Sequence, residues 1–471
     1  MRGIDELLGL VAKAAEAVEE TEDRRALLVS HYDADGLAAA SILAHTLATM
    51  GLAIQVIIVE QLTPNSLARL SRMAPSYSLV ILADMGSRAL RELAKLRTRV
   101  IVVDHHMPGE EAGGVLEVNP HRVGVDGSRE VSSAGLAYLL SKELLGDSAV
   151  KYSPLAVVGA LGDRQDVGRR FRLIGVNRLI VEEGASSNLL EESIGLRIFG
   201  GARRPLVKAL AYTTDPFIPG VTGDESGALA FLKSIGVNPS RDGEPRTVAD
   251  LSREERKKLA SALVKHLISL GYPVSEAERI YGATYTILSE PEGSPLRDAR
   301  EYAQLLNANG RMGRYGLAIA LGMGARGDVL MEAVNVAGQY RELLARAFKC
   351  VREEGVVSEE AYYVFVNLRG REFLSERMSG AIASLLTPSL SRGKLLVVAV
   401  DSAEGVKLSV RRGRDAVKVS VGEVLSRIAQ LVGGVGGGHE NAGGATIPSG
   451  KLEEFLKLLD EEVAKLAGSR S

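Results

Sequence analysis

Cysteine and tryptophan are nearly missing from this sequence. Its 471 residues include one cysteine, Cys350, and no tryptophan, and aromatic residues make up 4% of the chain. A single cysteine excludes an internal disulfide and a cysteine-based metal cluster, and it is typical of proteins that work in a reducing cytosol. We therefore expect a cytoplasmic protein.

Long apolar runs are also missing. No stretch reaches the ~18 apolar residues of a membrane-spanning helix, and the acidic, amphipathic N-terminus is unlike a signal peptide. No membrane partner is expected. The net charge of −2 neither supports nor excludes a nucleic-acid partner. A chain of 471 residues is too long for one compact core, so two or three domains are expected. The scarcity of Asn, Gln and Cys beside many Glu, Lys and Arg suggests a thermophilic source.

The most informative stretch is Asp104-His105-His106, which follows the β-branched run 100–103. That run predicts a buried parallel strand, and Pro108 with Gly109 predicts a turn soon after it. A carboxylate and two imidazoles at the carboxyl end of such a strand lie where an open α/β sheet places its site.

A second stretch ends another predicted strand, Ala26–Ser30, with the pattern His31, Asp33, Asp35 and Gly36. In extended backbone, alternate side chains share a face, so the histidine and both aspartates can converge. A helix N-cap is the simpler interpretation, but a cap needs only one aspartate.

Two further apolar segments end in acidic residues. Strand 79–83 ends at Asp84, and a stretch rich in small residues, 156–162, leads to Asp163 and Asp166. Either late aspartate can be a ligand, or both can belong to a solvated loop. Together with strand 53–59 and the intervening helices, the pattern predicts an α/β fold with a parallel sheet.

These strand ends together supply an oxygen-rich set of ligands with a few imidazoles: His31, Asp33, Asp35, Asp84, His105 and one of Asp163 or Asp166. Such a set suits Mn²⁺ or Mg²⁺ better than structural zinc. It offers more ligands than one cation with open positions can use, which indicates two cations ~3.5–4 Å apart that share a carboxylate. Two such cations indicate hydrolysis of a phosphoester or phosphoanhydride. His106 is expected either to contact the phosphate or protonate the leaving oxygen, or to hydrogen-bond a ligand.

His-x-Asp-x-Asp-Gly, a strand-end Asp, Asp-His-His and a later Asp resemble the four motifs of the DHH phosphoesterase superfamily. By that resemblance the first cation takes His31, Asp33 and Asp84, and the second takes Asp35, Asp84, His105 and the late aspartate. The family spacing Gly-x-x-x-Asp matches Gly162 to Asp166, which favours Asp166 over Asp163. Asp104 is expected to orient a histidine rather than to bind metal.

The C-terminal part carries a glycine-rich stretch, 433–447, and Arg411 at the end of a predicted strand. A glycine-rich loop brings backbone amides close to an anion, and Arg411 and His439 can add charged hydrogen bonds; a flexible hinge is the alternative. This part resembles DHHA1, the substrate domain that accompanies DHH in RecJ-like enzymes. The resemblance assigns phosphate contacts to Gly436, Gly437, Gly438 and His439.

The resemblance implies three parts: a parallel-sheet DHH domain at 1–230, a helical insertion or connector at 231–334, and a smaller α/β DHHA1 domain at 335–471. It implies an exonuclease for single-stranded DNA or RNA, of the archaeal RecJ-like type, in DNA replication or repair. Some members of that type associate with GINS and the MCM helicase. The alternatives are a phosphodiesterase for short oligonucleotides or cyclic dinucleotides, and a non-catalytic helicase subunit. With few aromatic residues, we expect contacts with the strand mainly through its backbone.

Overall fold

The computed structural model describes residues 2–21, 24–200, 204–438 and 440–468. In the first 200 residues the elements are α1 (Arg2–Glu19), β1 (Arg25–His31), α2 (Ala34–Thr49), β2 (Ala53–Val59), α3 (Pro64–Met73), β3 (Leu79–Ala83), α4 (Leu90–Leu93), β4 (Arg99–Val103), β5 (Val115–Val118), α5 (Ser133–Leu145), α6 (Ser153–Gly162), α7 (Gly175–Ser186) and β6 (Leu190–Leu196).

Shorter elements dominate the stretch that follows. From 204 to 280 they are α8 (Leu206–Tyr212), α9 (Glu225–Ser234), β7 (Ser240–Arg241), β8 (Glu244–Pro245), α10 (Arg253–Ser269) and α11 (Val274–Ala277). From 281 onwards they are β9 (Tyr281–Ile287), α12 (Ala299–Arg311), α13 (Tyr315–Gly322), α14 (Asp328–Glu353), β10 (Val357–Glu359), β11 (Tyr363–Asn367), α15 (Ser379–Leu390), β12 (Leu395–Ser402), β13 (Gly405–Arg412), α16 (Val421–Leu431), β14 (Val435–Gly438), β15 (Ala442–Ile447) and α17 (Leu452–Gly468).

The N-terminal sheet is parallel throughout, in the order β2-β1-β3-β4-β5. Its central strands are apolar because both faces of the sheet are covered. Alternate side chains of β1, β3 and β4 form one core with α3 and α4, and α2 and α5 also pack against the strands. The strand order places the carboxyl ends of β1, β3 and β4 side by side, at the point where the order reverses.

The C-terminal sheet is mixed, in the order β10-β11-β12-β13-β15-β14. Only β11 and β12 run parallel; the other neighbours are antiparallel. Apolar side chains of α16 and α17 pack with those of the central strands in one core. The α/β fold class, with a parallel sheet, a helical region and a second, smaller sheet domain, is therefore confirmed.

The chain forms two compact units, each made of two segments. One comprises residues 1–203 and 281–337, and the other residues 204–280 and 338–471. In the first unit β9 pairs antiparallel with β6, which ties the segment after 280 to the N-terminal part. The division at 230 and 335 expected from the sequence stays a prediction. Among the described residues, no helix is long and apolar enough to cross a membrane.

Candidate metal centre

The first part of the site lies where β1 passes into α2. Asp33 caps the helix, since its Oδ1 accepts a hydrogen bond from the Gly36 amide at 3.0 Å. Its Oδ2 lies 3.0 Å from Nδ1 of His31. Asp33 therefore caps the helix through Oδ1 and faces the candidate site through Oδ2. A side chain at Gly36 would meet the carbonyl of His31 at 2.5 Å, so the turn needs glycine.

Asp84 lies at the centre of the site, directly after β3. Its Oδ2 is 3.4 Å from Nδ1 of His31, and its Oδ1 is 3.3 Å from Nε2 of His105. The side chain is 1% exposed, and neither carboxylate oxygen has a hydrogen-bond partner among the described residues. Its backbone is left-handed, with φ of 61°, a strained conformation that tends to occur at functional sites.

Asp35 lies in the first turn of α2, not in extended backbone as the sequence pattern assumed. Its two oxygens accept the amides of Ser133 and Ala134 at 2.8 and 2.9 Å, at the start of α5. Its Oδ2 is also 3.7 Å from Nε2 of His105. A side chain at Gly159 would meet Oδ1 of Asp35 at 2.5 Å, so α6 approaches closely only because this residue is glycine.

The three residues of the Asp-His-His stretch make different contacts. Asp104 Oδ2 accepts the Ser87 amide at 3.0 Å, and its Oδ1 lies 2.8 Å from Nδ1 of His106. His105 instead places Nδ1 2.7 Å from the carbonyl oxygen of Gly127. When Nδ1 donates to that carbonyl, Nε2 is left to face the carboxylates. This arrangement agrees with Asp104 as an orienting residue and His105 as a ligand, assignments that remain predictions.

Burial and charge perturb the titration of the cluster. Burial, followed by the charge of Asp84, raises the pKa of Asp35 to about 8. Burial opposes protonation of His31 and His105, but the neighbouring carboxylates outweigh it and raise both pKa values well above the usual range. Burial also raises the pKa of Asp163. In the metal-free protein these carboxyl and imidazole groups therefore stay protonated to higher pH than usual. A bound cation would displace those protons.

Three further residues of the site have shifted pKa values: those of the carboxyls of Asp33 and Asp104 are lowered, and that of His106 is raised. Burial opposes ionisation of Asp33, but His31 outweighs it and lowers the pKa of that carboxyl. The hydrogen bond from His106 lowers the pKa of Asp104 against the same opposition from burial. His106, in return, has a raised pKa because Asp104 outweighs the effect of burial. Asp104 and His106 therefore favour a carboxylate paired with an imidazolium.

The late aspartates occupy different surroundings. Asp163 Oδ2 lies 3.7 Å from Nε2 of His105. Asp166 is fully buried and forms ion pairs with Arg197 and, at 2.7 Å, with Arg300. A carboxylate held by two guanidinium groups is already neutralised, so these contacts favour Asp163 over Asp166, and the identity of the late ligand stays a prediction. The spacing Gly-x-x-x-Asp also runs from Gly159 to Asp163, a signal that the sequence offered.

The donor set fits divalent cations. Ligand atoms of His31, Asp33 and Asp84 lie within 4.8 Å of one another, as do those of Asp84, His105 and His106. Asp84 belongs to both groups, and a cation would compensate its buried oxygens, which have no hydrogen-bond partner in the described part of the chain. Carboxylates with imidazoles suit Mn²⁺ or Mg²⁺.

The other candidate residues lie in the second unit. Gly436–Gly438 belong to β14, an edge strand paired with β15, so the predicted glycine-rich loop is corrected to a hairpin. The Arg411 guanidinium donates to the hydroxyl of Ser384 at 3.0 Å and the carbonyl of Gly380 at 3.1 Å. His439 lies outside the described residues. Phosphate binding by this region stays a prediction.

Sequence reasoning missed the residues that support the ligands. Gln165 donates to Asp163 Oδ2 at 2.9 Å, and Arg197 and Arg300 hold Asp166. Asn307 accepts the Ala34 amide at 2.9 Å and so fixes the start of α2. Arg300 and Asn307 lie outside the four motifs and far from them along the chain, so no local pattern links them to the site. Gln165 had no sequence signal, because a lone amide matches no motif.

Comparison with protein-family models gives three matches along the chain. The DHH family N-terminal domain matches residues 25–160, the DHH-CID domain residues 198–281, and the DHHA1 domain residues 361–465. An uncharacterized protein of Methanocaldococcus jannaschii is 30% identical over 445 residues, which is 93% of either chain. The chain belongs to the DHH/DHHA1 superfamily.

Nuclease relatives match this DHH/DHHA1 protein over part of their length. The single-stranded-DNA-specific exonuclease RecJ of Thermus thermophilus is 29% identical over 301 residues, 60% of this chain but 42% of RecJ. The structure of that RecJ in complex with Mn²⁺ has a TM-score of 0.59 at 19% identity, over 97% of this chain and 55% of RecJ. CDC45 from Entamoeba histolytica has a TM-score of 0.65 at 13% identity, over 96% of this chain and 99% of CDC45. The superfamily membership predicted from the motifs is confirmed, whereas the archaeal GINS-associated type stays a prediction.

Proposed function

We propose that this protein is a divalent-cation-dependent phosphodiesterase that removes nucleotides from the end of single-stranded DNA or RNA. One observation carries the proposal: the buried Asp84 carboxylate, which has no hydrogen-bond partner among the described residues, lies between two histidines at the edge of the sheet. A divalent cation would satisfy both carboxylate oxygens, which the two imidazoles approach only to 3.3 and 3.4 Å. The likeness to RecJ supports the substrate class.

The ligands divide between two cations that share Asp84. The first would be held by His31, Asp33 and Asp84, and the second by Asp35, Asp84, His105 and Asp163. When bound, two divalent cations neutralise charge on the phosphate and make a water molecule more acidic. Mn²⁺ or Mg²⁺ is the proposed cofactor.

The neighbouring residues orient these ligands and the substrate. Asp104 holds His106 by its backbone and by its ring, and His106 is 37% exposed. The imidazolium that Asp104 favours can donate a hydrogen bond to the phosphate or a proton to the leaving oxygen. In the second unit, we propose that Arg411, Gly436–Gly438 and His439 hold the strand by its phosphates.

The test uses strands labelled at the 5′ or the 3′ end, in both DNA and RNA, with Mn²⁺. We expect single nucleotides to be released from one end, and Asp84→Asn to abolish their release. Cleavage of dinucleotides or cyclic dinucleotides alone would favour the small-substrate alternative. A wild-type protein that binds strands, GINS or MCM without cleaving any substrate would overturn the enzyme proposal in favour of a helicase subunit.

A further inference from the structure

Gln165 lies between the two late aspartates and is fully buried. Its Nε2 donates to Oδ2 of Asp163 at 2.9 Å and to the carbonyl oxygen of Gly127 at 2.8 Å. Its Oε1 accepts a hydrogen bond from Nδ2 of Asn177 at 2.6 Å. Both ends of the amide are therefore used within the protein.

The surroundings fix which end of the amide faces the cluster. The Asp163 carboxylate and the Gly127 carbonyl can only accept hydrogen bonds, so the NH₂ group must face them. Asn177 donates to the opposite end, and it is itself held by the hydrogen bond from its backbone amide to the carbonyl of Glu130 at 2.8 Å. A reversed amide would place oxygen against two acceptors.

The same amide also lies against a second ligand, since its Nε2 is 3.3 Å from Nδ1 of His105 and both nitrogens face one carbonyl oxygen. The Gly127 carbonyl oxygen lies 2.7 Å from His105 Nδ1 and also accepts from Gln165. One group therefore orients the Asp163 carboxylate directly and the His105 ring through a shared acceptor. Among the described residues, the hydrogen bonds of Gln165 also reach Val131 and Asn177, but none reaches His31 or Asp33.

We propose that Gln165 is a positioning residue that directs Asp163 and His105 toward one cation without contacting it. This inference rests on the two-cation site of the proposed function. Because Gln165 supports the ligands of one cation only, its removal weakens that cation's binding and leaves the other largely unchanged. Partners that orient ligands in this way contribute about 10- to 100-fold to metal affinity.

The test is Mn²⁺ titration of the full chain, followed by electron paramagnetic resonance without nucleic acid. Gln165→Met keeps the length of the side chain and removes its donor. We expect one class of Mn²⁺ sites to weaken about 10- to 100-fold and the other to stay within about twofold. Gln430→Met, at an exposed position of α16, is the matched control and should bind as the wild type does.

Asn177→Leu provides a second variant, which keeps Gln165 but removes the donor that fixes its orientation. Asn177→Leu should weaken Mn²⁺ binding at the same class of sites by a smaller factor. If Gln165→Met does not fold, the Mn²⁺ affinities of Asn177→Leu test the inference instead. Unchanged affinities in the folded variant, or equal weakening of both classes, would overturn the inference. A protein that cleaves strands and shows unchanged Mn²⁺ affinities in Gln165→Met overturns this inference alone. A protein that cleaves nothing but shows the selective loss overturns only the proposed function.

Discussion

Asp163 Oδ2 lies 3.7 Å from Nε2 of His105, within the same cluster as Asp84. Three residues later, Asp166 is enclosed by Arg197 and Arg300 instead. The intervening Arg164 has left-handed backbone, with φ of 58°, in the turn that separates them. Two nearby carboxylates thus serve different purposes: one faces the candidate cation site and the other neutralises buried arginines.

Replacing each late aspartate with asparagine should distinguish an effect on activity from an effect on stability. Asp163→Asn should lower Mn²⁺-dependent hydrolysis about 100-fold, as expected for a lost ligand or its support, with little change in stability. Asp166→Asn should reduce the free energy of unfolding by about 3–5 kcal/mol, because buried arginine charge is left uncompensated. Initial rates at saturating Mn²⁺ and urea unfolding measure the two effects. The reverse assignment, with activity lost only in a folded Asp166→Asn protein, would restore Asp166 as the ligand.

The sequence predicts that most of these side chains lie close together, because parallel strands end at one edge of the sheet. His31, Asp84 and His105 stand at the ends of apolar strands that are evident in the sequence. The strand order then places these three residues side by side. The late aspartate was ambiguous because Gly-x-x-x-Asp occurs twice within eight residues, 159–163 and 162–166. Only the turn at Arg164 and the arginines from distant segments distinguish the two, and no local pattern encodes either.

Asp84 offers a second prediction, in which activity is lost while stability without metal is kept. Asp84→Asn should abolish Mn²⁺-dependent hydrolysis and the rise in melting temperature that Mn²⁺ produces. The metal-free variant should melt no lower than the wild type, because asparagine tolerates left-handed backbone and the substitution removes a buried charge near other carboxylates. Differential scanning fluorimetry with and without Mn²⁺ checks both.

Asp84→Ala is the matched control. Alanine removes the same carboxylate but is strained at φ of 61°, so this variant should be inactive and also melt below Asp84→Asn. Hydrolysis that survives in either variant would contradict the assignment of Asp84 as the shared ligand.

The glycine-rich stretch shows where composition misleads. Repeated glycines indicate a loop, yet Gly436 and Gly437 pair with Ala445 and Gly444 across a hairpin. The reason lies in packing: a Cβ at Gly436 would meet the carbonyl of Leu425 at 2.5 Å. Glycine there permits α16 to lie close to the strand, a tertiary requirement that the sequence does not display.

These glycines give a third prediction, because no atom of the described residues, apart from its chain neighbours, lies within 4 Å of a Cβ placed on Gly437. Gly437→Ala should fold with unchanged melting temperature, and it should weaken binding of single-stranded DNA several-fold if a phosphate approaches this backbone. Gly436→Ala should instead destabilise the protein through its contact with Leu425. Fluorescence anisotropy with a labelled strand measures the binding. Unchanged affinity in Gly437→Ala would remove this residue from the proposed phosphate contacts.

The response of stability to pH provides the fourth prediction. In the metal-free protein, burial and Asp84 raise the pKa of Asp35 to about 8, and the carboxylates raise that of His105 despite its burial. Between pH 6 and 8.5 the folded state therefore binds more protons than the unfolded state, so stability falls as pH rises. The lowered pKa of Asp33 acts in the opposite sense, but only at acid pH, as that group becomes protonated.

Saturating Mn²⁺ should remove this fall in stability, because a cation replaces the retained protons and binds more tightly as pH rises. Melting temperatures measured at pH 6, 7 and 8.5, in a chelator and in Mn²⁺, give the comparison. Asp35→Asn, which lacks the titrating carboxyl, should show a shallower decline in the chelator. A metal-free melting temperature that stays constant or rises over this range would contradict the claim that Asp35 and His105 retain protons. It would also contradict the electrostatic argument for a cation at Asp84.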